Sequence, residues 1–315
     1  MTVAVLAGGV GAARLLRGLV RAVPPADVTA IVNVADDEVI HGLAISPDLD
    51  TVTYTVAGEI DPDRGWGLAG ETWVAMESLR RFTEHSGRPD IGWFNLGDRD
   101  LGTHLYRTTR LAEGAPLSQV TGEIAAAWGL ACTLLPVSDD RIATRIETAD
   151  HGWLTFQEYF VRHQHGVVVR SVLFEGTDDA SAAPGVLEAL ANADVVVVAP
   201  SNPIVSIGPV LAVPGVRDAV AARRERTVAV SPIVGGKALK GPADRLLVEL
   251  GHESSVVGVA RIYREVASVL VVDEADRALA PDVEAAGMRC VVAPTIMTDP
   301  DAAARLATVC LDAVG

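Results

Sequence analysis

A chain of 315 residues that is 49% hydrophobic can bury a full core, as one large or two ordinary domains. Its net charge of −15 sets up a field that repels strong polyanions, which argues against nucleic acid as a partner. No apolar run approaches the roughly eighteen residues a membrane span needs, and the opening MTVAVLAGG lacks the basic region of a secretory signal, so a cytoplasmic protein with no membrane partner is expected.

Along the chain the apolar runs are VAVLAG (3–8), TAIVNV (29–34), IGWFNLG (91–97), CTLLPV (132–137), DVVVVAP (194–200), TVAVSP (227–232), SVLVVD (268–273) and CVVAP (290–294). Continuous β-branched runs of this kind, without strict alternation, predict strands buried on both faces of a parallel sheet. Amphipathic stretches such as AARLLRGLVRA, ETWVAMESLRRF and AAARLATVCLDAV lie between them. The rhythm predicts a doubly wound, Rossmann-like α/β fold with a mostly parallel sheet. Residues 137–176 break it, because RIATRIETAD, GWLTFQEYFVR and GVVVRSVLFEG read as β-rich segments without long helices. We expect residues 1–136 and 177–315 to form the core and 137–176 an inserted β-rich subdomain or lid. His163 and His165 alternate on an apparent strand there, and a solvated pair is the preferred reading over a metal site. Cys132, Cys290 and Cys310 lie far apart without a CxxC pair, which suits reduced, buried thiols.

Five loops carry the chemistry. The first, GGVGAARLL, places Gly8, Gly9 and Gly11 where backbone amides can approach an anion at the start of a helix. It is a broken dinucleotide fingerprint, with Arg14 where glycine or alanine belongs, and no GK[ST] follows to make a Walker loop. A tight turn without a ligand is the alternative. The second loop holds Asp36, Asp37, Glu38, Asp48 and Asp50 within fifteen positions, where 41 acids in 315 residues make about two the expectation. Carboxylates from two nearby turns can chelate a hard cation such as Mg²⁺, although Asp50 alone also reads as a helix cap. The third, LGDRDLGTH (96–104), offers Asp98, Arg99, Asp100 and His104 after an apparent strand, with a surface ion pair plus a helix cap as the plain alternative. The fourth, APSNPIVSIGP (199–209), offers Ser201, Asn202 and Ser206 in a turn shaped by prolines. The fifth, SPIVGGKALKGPAD, contains Lys237 and Lys240, the chain's only lysines beside 24 arginines. A compact ammonium there suits a diphosphate; two surface lysines adjacent by chance is the alternative. No Ser-His-Asp order, HExxH or Cys/His metal spacing is present.

Together these loops resemble the 2-phospho-L-lactate transferase family of coenzyme F420 biosynthesis, over nearly the whole chain. The similarity is carried by LAGGVGAARLLRGL, VNVADDEVIHGLAISPDLDTVTYTVAGEIDPDRGWG, ETW, LGDRDLGTH, LLPVSDDR, APSNPIVSIGP, SPIVGGKALKGPAD and TIMTDP. ISPDLDT with LGDRDLGTH is the specific part; Ala12-Ala13 after Gly11 departs from the family, where a further glycine is common. The resemblance implies a guanylylated three-carbon acid as donor and the deazaflavin 7,8-didemethyl-8-hydroxy-5-deazariboflavin (Fo) as acceptor. The ribityl hydroxyl of Fo would attack the phosphorus that bears the acid, GMP would leave, and the product would be a phosphodiester. The arginine- and alanine-rich composition resembles actinobacterial members, whose donor carries enolpyruvyl; lactyl and phosphoglyceryl donors differ by only a few atoms and stay open.

The resemblance also implies site roles. Asp36 and Asp50 hold Mg²⁺, and one of Asp37, Asp48 and Asp50 accepts the hydroxyl proton. Asp50 and Arg99, with Asp98 and His104 beside them, meet the deazaflavin. Gly8, Gly9 and Gly11, with the Ser201–Asn202–Pro203 and Lys237–Lys240 loops, take the guanosine diphosphate part. A homodimer is expected. Two rivals are a nucleotide-sugar-binding regulator, whose kind continues VADDGGSSG where this chain has ISPDLDT, and a nicotinamide oxidoreductase with Asp36 on the ribose.

Overall fold

A computed structural model describes residues 1–87 and 92–314. Seven of the apolar runs form one sheet. Its strands are β1 (Val3–Ala7), β2 (Val28–Val32), β3 (Thr133–Pro136), β4 (Val195–Val198), β5 (Thr227–Val230), β6 (Val269–Val272) and β7 (Arg289–Val292). The spatial order is β7-β6-β5-β4-β1-β2-β3, and every pairing is parallel. β1, β4, β5 and β6 are buried along their whole length, so valine and alanine fill both faces as the unbroken runs predict. The order reverses between β1 and β4. In a doubly wound sheet, the loops leaving the carboxyl ends of such a pair open a crevice.

Helix α1 (Gly9–Ala22) lays Ala12, Ala13, Leu15, Leu16 and Leu19 into the core. On its other side Gly18 meets the C-terminal helix Pro300–Asp312, and a Cβ there would stand 2.3 Å from the backbone carbonyl of Ala303. α2 (Pro47–Ala57), α3 (Val74–Ser86) and α4 (Asp100–Ala112) follow. A small second core of Ile40, Ile45, Met76 and Leu96 joins α3 to a hairpin of Glu38–Ile40 and Leu43–Ile45. Among the described residues no single helix is long and apolar enough to cross a membrane, and the three cysteines are free thiols, Cys132 and Cys310 buried as expected but Cys290 only half-buried.

Two expectations fail. IGWFNLG is not a strand over its described part, residues 92–97, which form turns and irregular chain. Its apolar residues serve locally instead, with Leu96 and Phe94 packing into the second core. His163 and His165 are not on a strand either. The chain makes a helical turn at Glu158–Arg162, His163 follows it, and His165 has a left-handed φ of 44°. Their rings part company, His163 lying 4.6 Å from His151 and His165 5.4 Å from Phe160.

Within 137–176, strands Ala143–Thr148, Gly152–Thr155 and Val169–Glu175 form a separate antiparallel sheet. Ile146, Leu154, Tyr159 and Val169 from this region share a cluster with Val205 and Leu246. That contact sets the small sheet over the loop that follows β4.

The Gly18 contact yields a sign test. Glycine inside a helix is worse than alanine by about 1 kcal/mol, whereas overpacking costs about 1–3 kcal/mol. With backbone only 2.3 Å from the added carbon, packing should win. Gly18→Ala is expected to lower stability in urea unfolding, and Gly18→Val to lower it further. A more stable Gly18→Ala would mean that the two helices separate freely.

Candidate active site

The crevice between β1 and β4 is held shut by its own loops. Gly9 has φ +70°, and Gly8 leaves no room for a side chain, since a Cβ would lie 2.8 Å from the Ser206 Cβ. Gly11 is required by the neighbouring loop, whose Pro200 carbonyl oxygen would stand 2.2 Å from an added Cβ. Ser201 donates its hydroxyl to the Gly8 carbonyl at 2.7 Å. The Asn202 side-chain oxygen accepts from the amides of Ile204 (2.9 Å) and Val205 (3.4 Å) as Pro203 opens a helical turn. The Gly9 amide, expected to face an anion, donates to Asp48 Oδ1 at 2.8 Å.

Asp48 belongs to a buried acid cluster. Asn33, just past β2, gives its side-chain amide to Asp36 at 3.1 Å and to Asp48 at 3.0 Å. Ser46 stands at the start of α2, but its hydroxyl donates to Asp37 at 2.6 Å and leaves the helix end uncapped. Asp36 Oδ1 and Asp37 Oδ1 are buried without a well-formed hydrogen bond, although the nearby Thr144 hydroxyl acts to lower the Asp36 pKa. Burial pushes Asp36 well above the usual carboxylate range, and the neighbouring Asp48 adds to it. Burial does the same to Asp37, with the charges of Asp50 and Asp48 contributing. For Asp48, burial outweighs the Asn33 and Gly9 hydrogen bonds and raises its carboxyl to about 6. The small sheet closes this loop from above. Gln157 donates to the Asp36 carbonyl at 2.8 Å, and the Thr144 amide donates to that of Ala35 at 2.7 Å. A cavity of about 30 Å³ remains, bordered by Asp36, Asp37, Glu38, Arg141, Arg145 and Thr155.

Asp50 is not a cap. It sits in the first turn of α2, where the helix dipole favours a carboxylate. The TVTYTV stretch is helical despite its β-branched residues because residues 48–55 are buried on nearly every side, so packing overrides propensity. From α4, Asp100, His104 and Arg107 come to meet it. The Arg107 guanidinium, 2% exposed, binds both Asp50 oxygens, Nη1 to Oδ2 at 3.1 Å and Nη2 to Oδ1. His104 lies 3.7 Å from Asp50 Oδ2 and 3.3 Å from Asp100 Oδ2. Tyr54 donates to Asp100 Oδ1 at 2.5 Å. Burial would raise Asp100, but His104, Tyr54 and Arg107 outweigh it and hold the carboxyl below its ordinary value. Arg107 was absent from the expected site. Its signal was available, since Asp100, His104 and Arg107 recur at i, i+4 and i+7 on one helical face.

LGDRDLGTH therefore begins a helix and does not follow a strand. Asp98 caps α3, accepting from the amides of Val74 (2.8 Å) and Ala75 (3.0 Å) and from the Thr72 hydroxyl (2.5 Å). Glu71, unremarked in the sequence, caps α4 through the amides of Arg99 (2.7 Å) and Asp100 (2.9 Å). Arg99 is half-exposed; it donates to the Ala69 carbonyl and lies 3.7 Å from Glu59. Lys237 is exposed on a short strand, while Lys240 points toward Gly65 beside Val10. Burial and the charge of Arg14 lower the Lys240 pKa.

Two places suit a cation. Asp50, Asp100 and His104 offer ligand atoms within 4.8 Å of one another. That group already holds a buried guanidinium, and a second cation beside it is disfavoured. Asp36 and Asp37 each present a buried oxygen without a hydrogen bond, the hard donor type that a divalent ion takes.

The raised carboxyl of Asp48 gives a pH dependence. The fold prefers its neutral form, so that contribution is complete below about 4 and is lost as pH rises through about 6. Without divalent ions, the wild type should lose on the order of 1–3 kcal/mol more than Asp48→Asn between these limits. Urea unfolding of both proteins across that range measures it; parallel profiles would show Asp48 ionised throughout.

Comparison with known proteins identifies the family. The family profile described as 2-phospho-L-lactate transferase CofD matches residues 3–296. The chain is 45% identical to a phosphoenolpyruvate transferase of Streptomyces griseus, over 99% of this chain and 98% of that one. It is 42% identical to a phosphoenolpyruvate transferase of Mycobacterium avium, over 100% and 99%. In fold it is similar to a UPF0052 family member from Bacillus halodurans, at TM-score 0.63 and 19% identity over 98% of both chains. On the whole-length match and the sequence identity, the chain belongs to the 2-phospho-L-lactate transferase CofD family, a family of transferase enzymes of coenzyme F420 biosynthesis.

Proposed function

We propose that the protein transfers a phosphoenolpyruvyl group from enolpyruvyl-diphosphoguanosine to the ribityl hydroxyl of Fo, releasing GMP and forming a phosphodiester. The observation that carries this reading is the pair of buried oxygens without a well-formed hydrogen bond on Asp36 and Asp37, set beside the glycine turn at the sheet's switch point. Phosphoryl transfer demands alignment and neutralised charge more than covalent help from the protein, and such oxygens are where a cation would gather. Bound Mg²⁺ would neutralise phosphate charge and lower the barrier to attack. Asp36 carries a free oxygen for it, and Asp50 takes part only by giving up one of its Arg107 bonds.

The chain's own groups do the rest. Of Asp37, Asp48 and Asp50, Asp37 is the best placed to accept the hydroxyl proton. It keeps a free oxygen and a carboxyl raised by burial. Asp48 has both oxygens engaged, and Asp50 is gripped by Arg107. Arg99, half-exposed at the start of α4, meets the deazaflavin. Lys240 and Lys237, with the loop at Ser201–Pro203, take the guanosine diphosphate. Asp98 and His104 act indirectly, the first by capping α3 and the second by bracing Asp50. The nicotinamide alternative fits less well, since Asp36 is 5% exposed and bonded to Asn33, away from any ribose. A cytoplasmic homodimer completes the reading, with light scattering in solution as the check on its state.

Two experiments follow. Chelation with EDTA should stop turnover and Mg²⁺ restore it, and Asp36→Ala should lower the rate at least tenfold, about 1.4 kcal/mol. Full activity in chelator would remove the metal from the reading. Separately, Arg99→Lys should raise the KM for Fo several-fold and spare GDP affinity, because it keeps the charge but loses the planar fork. Lys240→Ala should weaken GDP binding by about 1.5–3 kcal/mol and spare Fo. Titration calorimetry with GDP beside Fo-dependent turnover separates the two; a reversed pattern would exchange the loop assignments.

A further inference from the structure

We infer that Arg141 recognises the carboxylate of the three-carbon acid carried by the donor, an inference that rests on the transfer reading above. The donor brings its own carboxylate toward a pocket that already holds Asp36, Asp37 and Glu38. Like charges brought together near a protein surface repel. A metal ion held by the aspartates would face the phosphate, so a cation on the protein side best receives the acid's free end.

The described residues bordering the cavity include two cations, Arg141 and Arg145. Arg145 already has a partner, since its Nε lies 2.7 Å from Glu175. Arg107, the nearest buried guanidinium to the acids, is held by Asp50. Arg141, exposed at the cavity's rim, makes no side-chain hydrogen bond or close ion pair among the described residues, and its charge acts only at longer range on Glu38. Its neighbours in LLPVSDDR do not compensate it. Asp139 accepts from the Ser118 amide (2.6 Å) and hydroxyl (2.8 Å), and Asp140 from the Ser181 amide (2.8 Å). Those bonds fix the chain on the approach to Arg141, and Gly176 packs closely on its carbonyl, where a Cβ would come within 2.6 Å. A guanidinium on an anchored backbone, free at its tip, takes a carboxylate in a two-pronged grip that an ammonium cannot copy. Asp36, 5% exposed and one of the acids expected to meet the phosphate, borders the same cavity.

The test compares two esters of GDP on the β-phosphate, one with lactate, which carries a carboxylate, and one with methanol, which does not. In Arg141→Gln, the KM for the lactyl ester should rise about tenfold or more, while the methyl ester should inhibit as it does the wild type and the KM for Fo should hold. Arg141→Lys should recover part of the loss, charge without fork. An unchanged KM for the lactyl ester in Arg141→Gln overturns the inference. Equal weakening toward both esters overturns it too, by making Arg141 a general phosphate or structural contact. If the wild type transfers from neither the lactyl nor the enolpyruvyl ester of GDP, the transfer reading falls first, and this inference falls with it.

Discussion

The site depends on keeping several carboxylates buried against one another. Removing a charge from water costs several kcal/mol even after relaxation, and Asp36, Asp48 and Asp50 are all at least nine-tenths buried. The protein meets that cost with a different partner for each acid. Asp50 has a guanidinium, Asp48 has a backbone amide and half of the Asn33 amide, and Asp36 has the other half. The compensation is graded. Asp50 is fully paired, whereas Asp36 and Asp37 each retain an oxygen without a well-formed hydrogen bond. A buried pair such as Arg107–Asp50 adds little net stability, but losing one partner costs about 3–5 kcal/mol. That asymmetry holds α2 and α4 in one relation across the acids.

The rest of the fold serves this arrangement. The parallel sheet brings the ends of β1, β2 and β4 to one edge, and α2 adds its first turn there. The close backbone approaches at Gly8 and Gly11 leave little freedom between the β1 turn and the loop after β4. The small antiparallel sheet then reaches over through Gln157 and Thr144, so the acids are enclosed from a third direction. Arg141 and Arg145 arrive on that same piece of chain.

Much of the sheet was legible because unbroken β-branched runs have few other uses. IGWFNLG misled for the opposite reason: its apolar residues feed a small local core, and a short run cannot announce which core it serves. TVTYTV was ambiguous in the same way, since only burial by neighbouring elements makes a helix of threonines and valines. The acid excess pointed to the right region, but individual roles were hidden in tertiary contacts. Nothing local distinguishes Asp98, a cap for α3, from Asp100, a member of the buried network. Arg107 was readable only by following helical spacing three residues beyond the recognisable stretch, and Glu71 only through the amides it meets 28 and 29 residues later.

The bond from the Gly9 amide to Asp48 gives the glycine turn an occupant of its own. An anion that reaches this amide does not fill a vacancy; it exchanges with an internal carboxylate that leaves with its proton balance altered. The net affinity is then a difference between two similar interactions. A small, singly charged anion gains almost nothing from the swap. A ligand gains only if it brings further contacts that Asp48 cannot make, so the bond to Asp48 is a cost that any anion at this turn must offset.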